Sequence, residues 1–173
     1  MLATHFEAIN AGVRHRCLVV NILNGNGVTR QGPTLLPGDT ITVEDVYNQT
    51  AMSYPSVYRL EMSGEQLKVI LEDVCDNLFN KDPFYQQGGD MVRVGGMGYT
   101  CEPEAAMGGR ISNMTLLSTG ESIDPARTYV VAGWASVNEA VEGPPIFDLV
   151  QDYLKDRDTV NMQPNDAVKI KQG

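Results

Sequence analysis

The chain has 173 residues, 42% hydrophobic and 20% charged, and its 22 acids against 13 bases give a formal net charge of −9. That length and mix supply apolar side chains for one core and argue against disorder, while the acidic balance excludes general nucleic-acid binding, which needs clustered Lys and Arg. No apolar run approaches the roughly 20 residues that cross a bilayer, so no membrane role is expected, and the N-terminal "MLATHFEAINAGVRHR" is too polar for a secretory signal.

In chain order, residues 4–15 predict a short helix and "CLVVNIL", 17–23, a strand. The Gly- and Pro-rich "NGNGVTRQGPTLLPGD", 24–39, is loop. "TVEDVYNQ", 42–49, reads as a helix capped by Thr42 with Asp45 three residues on, and "SVYRLEM", 56–62, as a strand. The strongest pattern is "SGEQLKVILEDVCDNLF", 63–79. Ser63 and Gln66 form a capping box there, and Leu67, Ile70, Leu71, Val74 and Leu78 repeat at helical spacing. Cys75 lies on the apolar side of this helix and is expected to pack as a small hydrophobe. "GMGYTCE", "RISNMTLLS" and "TYVVAGW" are strand-like, with a turn at "STGES". "PPIFDLVQDYLK", 144–155, predicts a helix with prolines in its first turn, and "DAVKIK", 166–171, a closing strand. The expected class is α+β, or mixed α/β, in a single domain.

The residue types restrict the chemistry. His5 and His15 lie ten positions apart, not at the i, i+4 spacing of a helical zinc site, and are expected on the surface. No histidine lies near the glycine-rich loops, so a Ser-His-Asp or Cys-His arrangement is not expected. Cys17, Cys75 and Cys101 are odd in number and widely spaced, and resemble neither a disulfide framework nor a metal cluster. Two loops set an arginine among glycines: "NGNGVTRQG" with Arg30, and "QQGGDMVRVGG" with Arg93 between Gly88, Gly89 and Gly95, Gly96. Glycine turns expose N–H groups, and a guanidinium beside them suits an oxyanion. Equally open is a strand Arg93 paired with an acid, and an Arg30 that is a solvated charge. Neither loop is a P-loop. Trp134 is read as core or as a cleft wall, and Tyr85 as a surface aromatic or a rim residue.

"TLLPGDTIT", the stretch from "EMSGEQLK" through "GGRISNM", and "TYVVAGWASV" together closely resemble the C-terminal domain of the SoxB thiosulfohydrolases of the bacterial sulfur-oxidation (Sox) system. More broadly they resemble the 5′-nucleotidase C-terminal domain. The resemblance covers roughly residues 33–157 and is densest over 66–110; residues 33–173 are expected to form the substrate-binding domain, whereas 1–32 reads as a divergent helix/strand segment. It implies a hydrolase cleaving a sulfur–sulfur bond: a cysteine S-thiosulfonate on the carrier SoxYZ is hydrolysed to release sulfate during periplasmic thiosulfate oxidation. It places two manganese ions in an N-terminal metallophosphatase-like domain, so that no cofactor, metal or catalytic residue is expected here and the chain alone is expected to be inactive. By the same resemblance Arg93 grips the sulfonate and Asp90 fixes Arg93. Gly88, Gly89, Gly95 and Gly96 let the carrier arm approach, and Tyr85 and Trp134 line the channel. Arg30 corresponds to an arginine of the wider family, although "GNGVTR" departs from the "GGGIR" spacing. Two other readings are a 5′-nucleotidase-like phosphoesterase lid and a non-catalytic module that docks a carrier protein.

Overall fold

The computed structural model describes residues 17–21, 38–50, 55–87, 91–134, 143–160 and 166–171, with backbone alone at 17–21, Gln49, Arg93 and Trp134. The helix expected at 4–15, with His5 and His15, lies outside the described residues.

Two sheets carry the described strands. In the first, β2 (Val57–Ser63), β6 (Thr128–Trp134), β1 (Cys17–Asn21) and β3 (Arg93–Gly95) lie side by side in that order. β1 runs parallel to β6 and antiparallel to β3, and β2 runs antiparallel to β6 over seven residue pairs. In the second sheet β5 (Ile111–Leu116), β4 (Met97–Cys101) and β7 (Val168–Ile170) are neighbours in that order. The mixed class expected from the sequence is the class observed. β1 occupies an interior position of the first sheet.

Of the two readings of the stretch around Arg93, loop and strand, the backbone takes the second at 93–95, where it is strand paired with β1. Gly96 follows with φ +75, a conformation that glycine adopts without a Cβ penalty. It carries the chain from one sheet to the other, and its carbonyl accepts the Leu117 N–H at 3.0 Å.

α2 (Gly64–Phe79) forms as the pattern predicts. The Ser63 hydroxyl accepts the Gln66 N–H at 3.1 Å, and the Gln66 side chain accepts the Ser63 N–H at 2.8 Å. The next free donors of the first turn, Gly64 and Glu65, donate to the carbonyls of Arg127 and Pro125, both at 3.0 Å. This close seat requires glycine: a Cβ at Gly64 would lie 2.2 Å from the Asp124 carbonyl oxygen. Leu67, Leu71 and Cys75, spaced four apart, turn toward Val94, Tyr129 and Val131 of the first sheet and Met97, Tyr99, Cys101, Ile111 and Leu116 of the second. One helix thus closes one core over both sheets, and each fully buried leucine contributes about 1.5–3 kcal/mol.

α1 (Val43–Thr50) is capped as expected, with the Thr42 N–H donating to Asp45 Oδ2 at 2.9 Å and the Asp45 N–H to Thr42 Oγ1 at 3.3 Å. α3 (Ile146–Lys155) starts two residues later than predicted, so Pro145 is its N-cap and the prolines precede the first turn. The segment before α3 is held against β2: the Ile146 N–H donates to Pro55 O at 2.8 Å and the Val57 N–H to Pro144 O at 3.0 Å. Stacked rings of Tyr47 and Phe147, 4.7 Å apart, join α1 to α3.

Candidate functional site

The first sheet brings two of the sequence-predicted residues to one end. Arg93, the first residue of β3, is in register with Asn21, the last of β1. Trp134, the last of β6, is in register with Val57, the first of β2. Continuing the β1–β6 register of Val19 with Ala132 by two residues sets Asn21 level with Trp134. Val57, Trp134, Asn21 and Arg93 therefore form one row across the sheet end. One strand separates the Arg93 and Trp134 backbones, a spacing of about 10 Å. Gly95 is buried and Gly96 exposed. Gly88, Gly89, Asp90 and Arg30 lie outside the described residues.

Tyr85 is elsewhere, on a 3₁₀ turn (Pro83–Tyr85) that follows α2. Phe84 is 86% exposed and Tyr85 59%. Their rings meet edge to face at 5.6 Å and 90°. Side chains hold the turn: the Phe84 N–H donates to Asp82 Oδ1 at 2.9 Å, the Asp82 N–H to Asn80 Oδ1 at 3.0 Å, and Gln86 Nε2 to Asn80 O at 2.6 Å. Two aromatic faces are thus presented to solvent from a fixed backbone.

Beneath this turn is a buried ionic group that the sequence reading missed. Glu72 is 3% exposed and Arg110 4%. Glu72 Oε2 accepts the Gly108 N–H at 2.8 Å and the Arg110 N–H at 3.3 Å, and Oε1 accepts the Ile111 N–H at 2.8 Å. The Arg110 guanidinium pairs with Asp76 Oδ1 and donates from Nε to Ala105 O at 2.8 Å. Asp76 Oδ2 in turn accepts from Asn80 Nδ2 at 2.9 Å, so the chain of contacts runs from the start of β5 to the aromatic turn. A weak signal exists in the sequence: Glu72 and Asp76 are four apart beside the apolar stripe, and Arg110 ends a "MGGR" turn just before a strand.

Hydrogen bonding from Asn80, and then the Arg110 guanidinium, hold the Asp76 carboxyl below its ordinary pKa. A lowered folded-state pKa gives stability that is complete above the unfolded value of about 3.9 and lost as pH falls toward the folded one. Asp76→Asn is expected to flatten that acid limb, read as urea midpoints from about pH 6 to pH 2. An acid limb as steep as that of the unaltered chain would show that Asp76 does not carry it.

Among the described residues no group of three or more His, Cys, Asp or Glu side chains could hold a metal ion. An open groove of about 550 Å³ lies between the first turn of α2 and β5, lined by Glu65, Lys68, Asn113 and Ser122 among others. None of the residues singled out from the sequence lines it.

The model of the 5′-nucleotidase C-terminal domain matches residues 5–149. The chain belongs to this family. The sulfate thiohydrolase SoxB of Thermus thermophilus is 33% identical to this 5′-nucleotidase C-terminal domain, which superposes on it with a TM-score of 0.80 over 96% of the present chain and 31% of that one. A 5′-nucleotidase precursor, also of Thermus thermophilus, shares the fold at 18% identity and TM-score 0.66, over 98% of this chain and 34% of that one. The NAD nucleotidase of Haemophilus influenzae does so at 17% and 0.68, over 99% and 32%. No curated protein matches the chain. The domain spans about a third of the length of these solved structures.

Proposed function

We propose that this domain is the substrate-side part of a hydrolase that cleaves the sulfur–sulfur bond of a cysteine S-thiosulfonate on a SoxYZ-type carrier, releasing sulfate in the periplasm. The observation that supports it is the 33% identity to a sulfate thiohydrolase over 96% of the chain, about twice the identity to the two nucleotidases. In this reading two manganese ions and the bond cleavage are assigned to a companion N-terminal metallophosphatase-like domain. This domain's task is to bind and orient. Arg93 binds the sulfonate oxygens, and Trp134, level with it in the sheet, walls the same opening. Gly88, Gly89 and Asp90 precede β3 in sequence and shape the approach.

The aromatic turn weighs against a nucleotidase lid at that point. Rings crossed at 90° and 5.6 Å leave no parallel slot between them for a base.

The test compares this chain alone with the same chain joined to its metal-binding domain. Sulfate is measured from carrier-bound thiosulfonate and phosphate from a 5′-mononucleotide. The joined protein is expected to release sulfate, and the chain alone neither product. Phosphate release without sulfate assigns the domain to a nucleotidase, and turnover by the chain alone removes the division of labour.

A further inference from the structure

Cys75 on α2 and Cys101 at the end of β4 are 26 positions apart in sequence, yet their Sγ atoms lie 3.1 Å from each other. Cys75 is 0% exposed and Cys101 1%. A disulfide needs about 2.05 Å between sulfurs, so each must advance by roughly half an ångström, within the play of the two χ1 angles. The two sulfurs point at each other across the helix–sheet contact, in the same core cluster as Leu71, Met97 and Ile111. No third ligand completes a metal group among the described residues.

We propose that Cys75 and Cys101 form a disulfide in the folded protein, which ties the two ends of the segment carrying Tyr85, Arg93 and Gly95. The oxidant is an external disulfide, of a small thiol or of an oxidising protein. One cysteine thiolate attacks it, expels a thiolate and forms a mixed disulfide. The second cysteine thiolate then attacks the protein sulfur of that bond and expels the other thiolate. Two S–H bonds are lost and one S–S bond is made. The external disulfide leaves as two thiols carrying the two protons.

Burial fixes when this happens. Burial, then the contact with Cys101, pushes the Cys75 thiol up to about 12, so packed Cys75 offers almost no thiolate, and with both cysteines buried an oxidant has no access to the pair. Exchange therefore precedes the docking of α2 onto β4, and the finished bond is shielded from reductants. The bond lies on the core side of the segment, leaving the sheet end with Arg93 and Trp134 untouched.

The experiment refolds the chain from guanidinium with oxidised and reduced glutathione. Circular dichroism confirms refolding, free thiols are alkylated in denaturant, and peptides are analysed without reduction. A Cys75–Cys101 peptide pair two hydrogens lighter than its parts is expected, with Cys17 alkylated. The oxidised chain is expected to melt about 8 °C above its reduced form. Cys101→Ala should abolish that difference and Cys17→Ser should keep it. Chain exported into a disulfide-forming compartment provides a second count that needs no refolding. Chain refolded in the presence of the oxidant, folded by circular dichroism, in which both cysteines are alkylated would overturn the proposal. So would a bond to Cys17, or a melting difference that survives Cys101→Ala.

Discussion

Glu72→Ala is expected to cost about 3–5 kcal/mol of folding stability, seen as a large drop in the guanidinium midpoint. The loss is not one of packing. Glu72 is the shared acceptor for the N–H groups of Gly108, Arg110 and Ile111. Alanine leaves these donors facing a cavity, and an unsatisfied buried group costs about 1–3 kcal/mol. The Arg110 guanidinium keeps its ion pair with Asp76, so the loss falls on these three backbone donors. Against a total of about 5–15 kcal/mol for a domain, this is a substantial share. Glu72→Gln separates charge from hydrogen bonding: its amide keeps one acceptor oxygen and should lose about half as much. A loss below about 1 kcal/mol for Glu72→Ala would mean the 108–111 turn finds other acceptors and that the carboxylate is not what fastens it to α2.

Arg93→Ala, in the chain joined to its metal-binding domain, is expected to lower kcat/KM for the carrier-bound sulfonate by about 10²–10³-fold. This follows from the proposed role: a guanidinium presents a planar fork to the sulfonate oxygens, and nothing in alanine replaces it. Arg93→Lys keeps the charge without the fork and should recover only part of the rate. Stability should shift by no more than about 0.5 kcal/mol, because strand pairing of β3 with β1 uses backbone groups. A variant with normal sulfate release removes Arg93 from the site. A variant whose rate falls only with its folded fraction makes Arg93 a structural residue.

The two effects meet in one segment. The ionic group fastens α2 to the turn before β5, and through Asp76 and Asn80 it reaches the Phe84–Tyr85 turn. Loosening it at Asp76 should disturb the aromatic turn before the sheet end that carries Arg93, since that end is held by the β1, β3 and β6 ladders. A carrier arm that uses both places would then lose affinity on one side only.

Local rules were enough for α2, because a capping box and apolar residues at helical spacing are both written within seventeen residues. They were enough for β6, whose "TYVVAGW" is β-branched and aromatic, and for the family, carried by whole phrases of sequence. They left β3 open between loop and strand. A strand of Arg93, Val94 and Gly95 has poor local propensity and exists because β1, more than seventy positions earlier, offers it a partner. Nor could they bury Glu72, since helical periodicity assigns a glutamate to water until three N–H donors arrive from residues 108–111. The Cys75–Cys101 approach and the level placement of Arg93 with Trp134 belong to the same class. Spacing along the chain determines which element a residue joins; which residues meet across elements is decided only when the sheets and helix close one core.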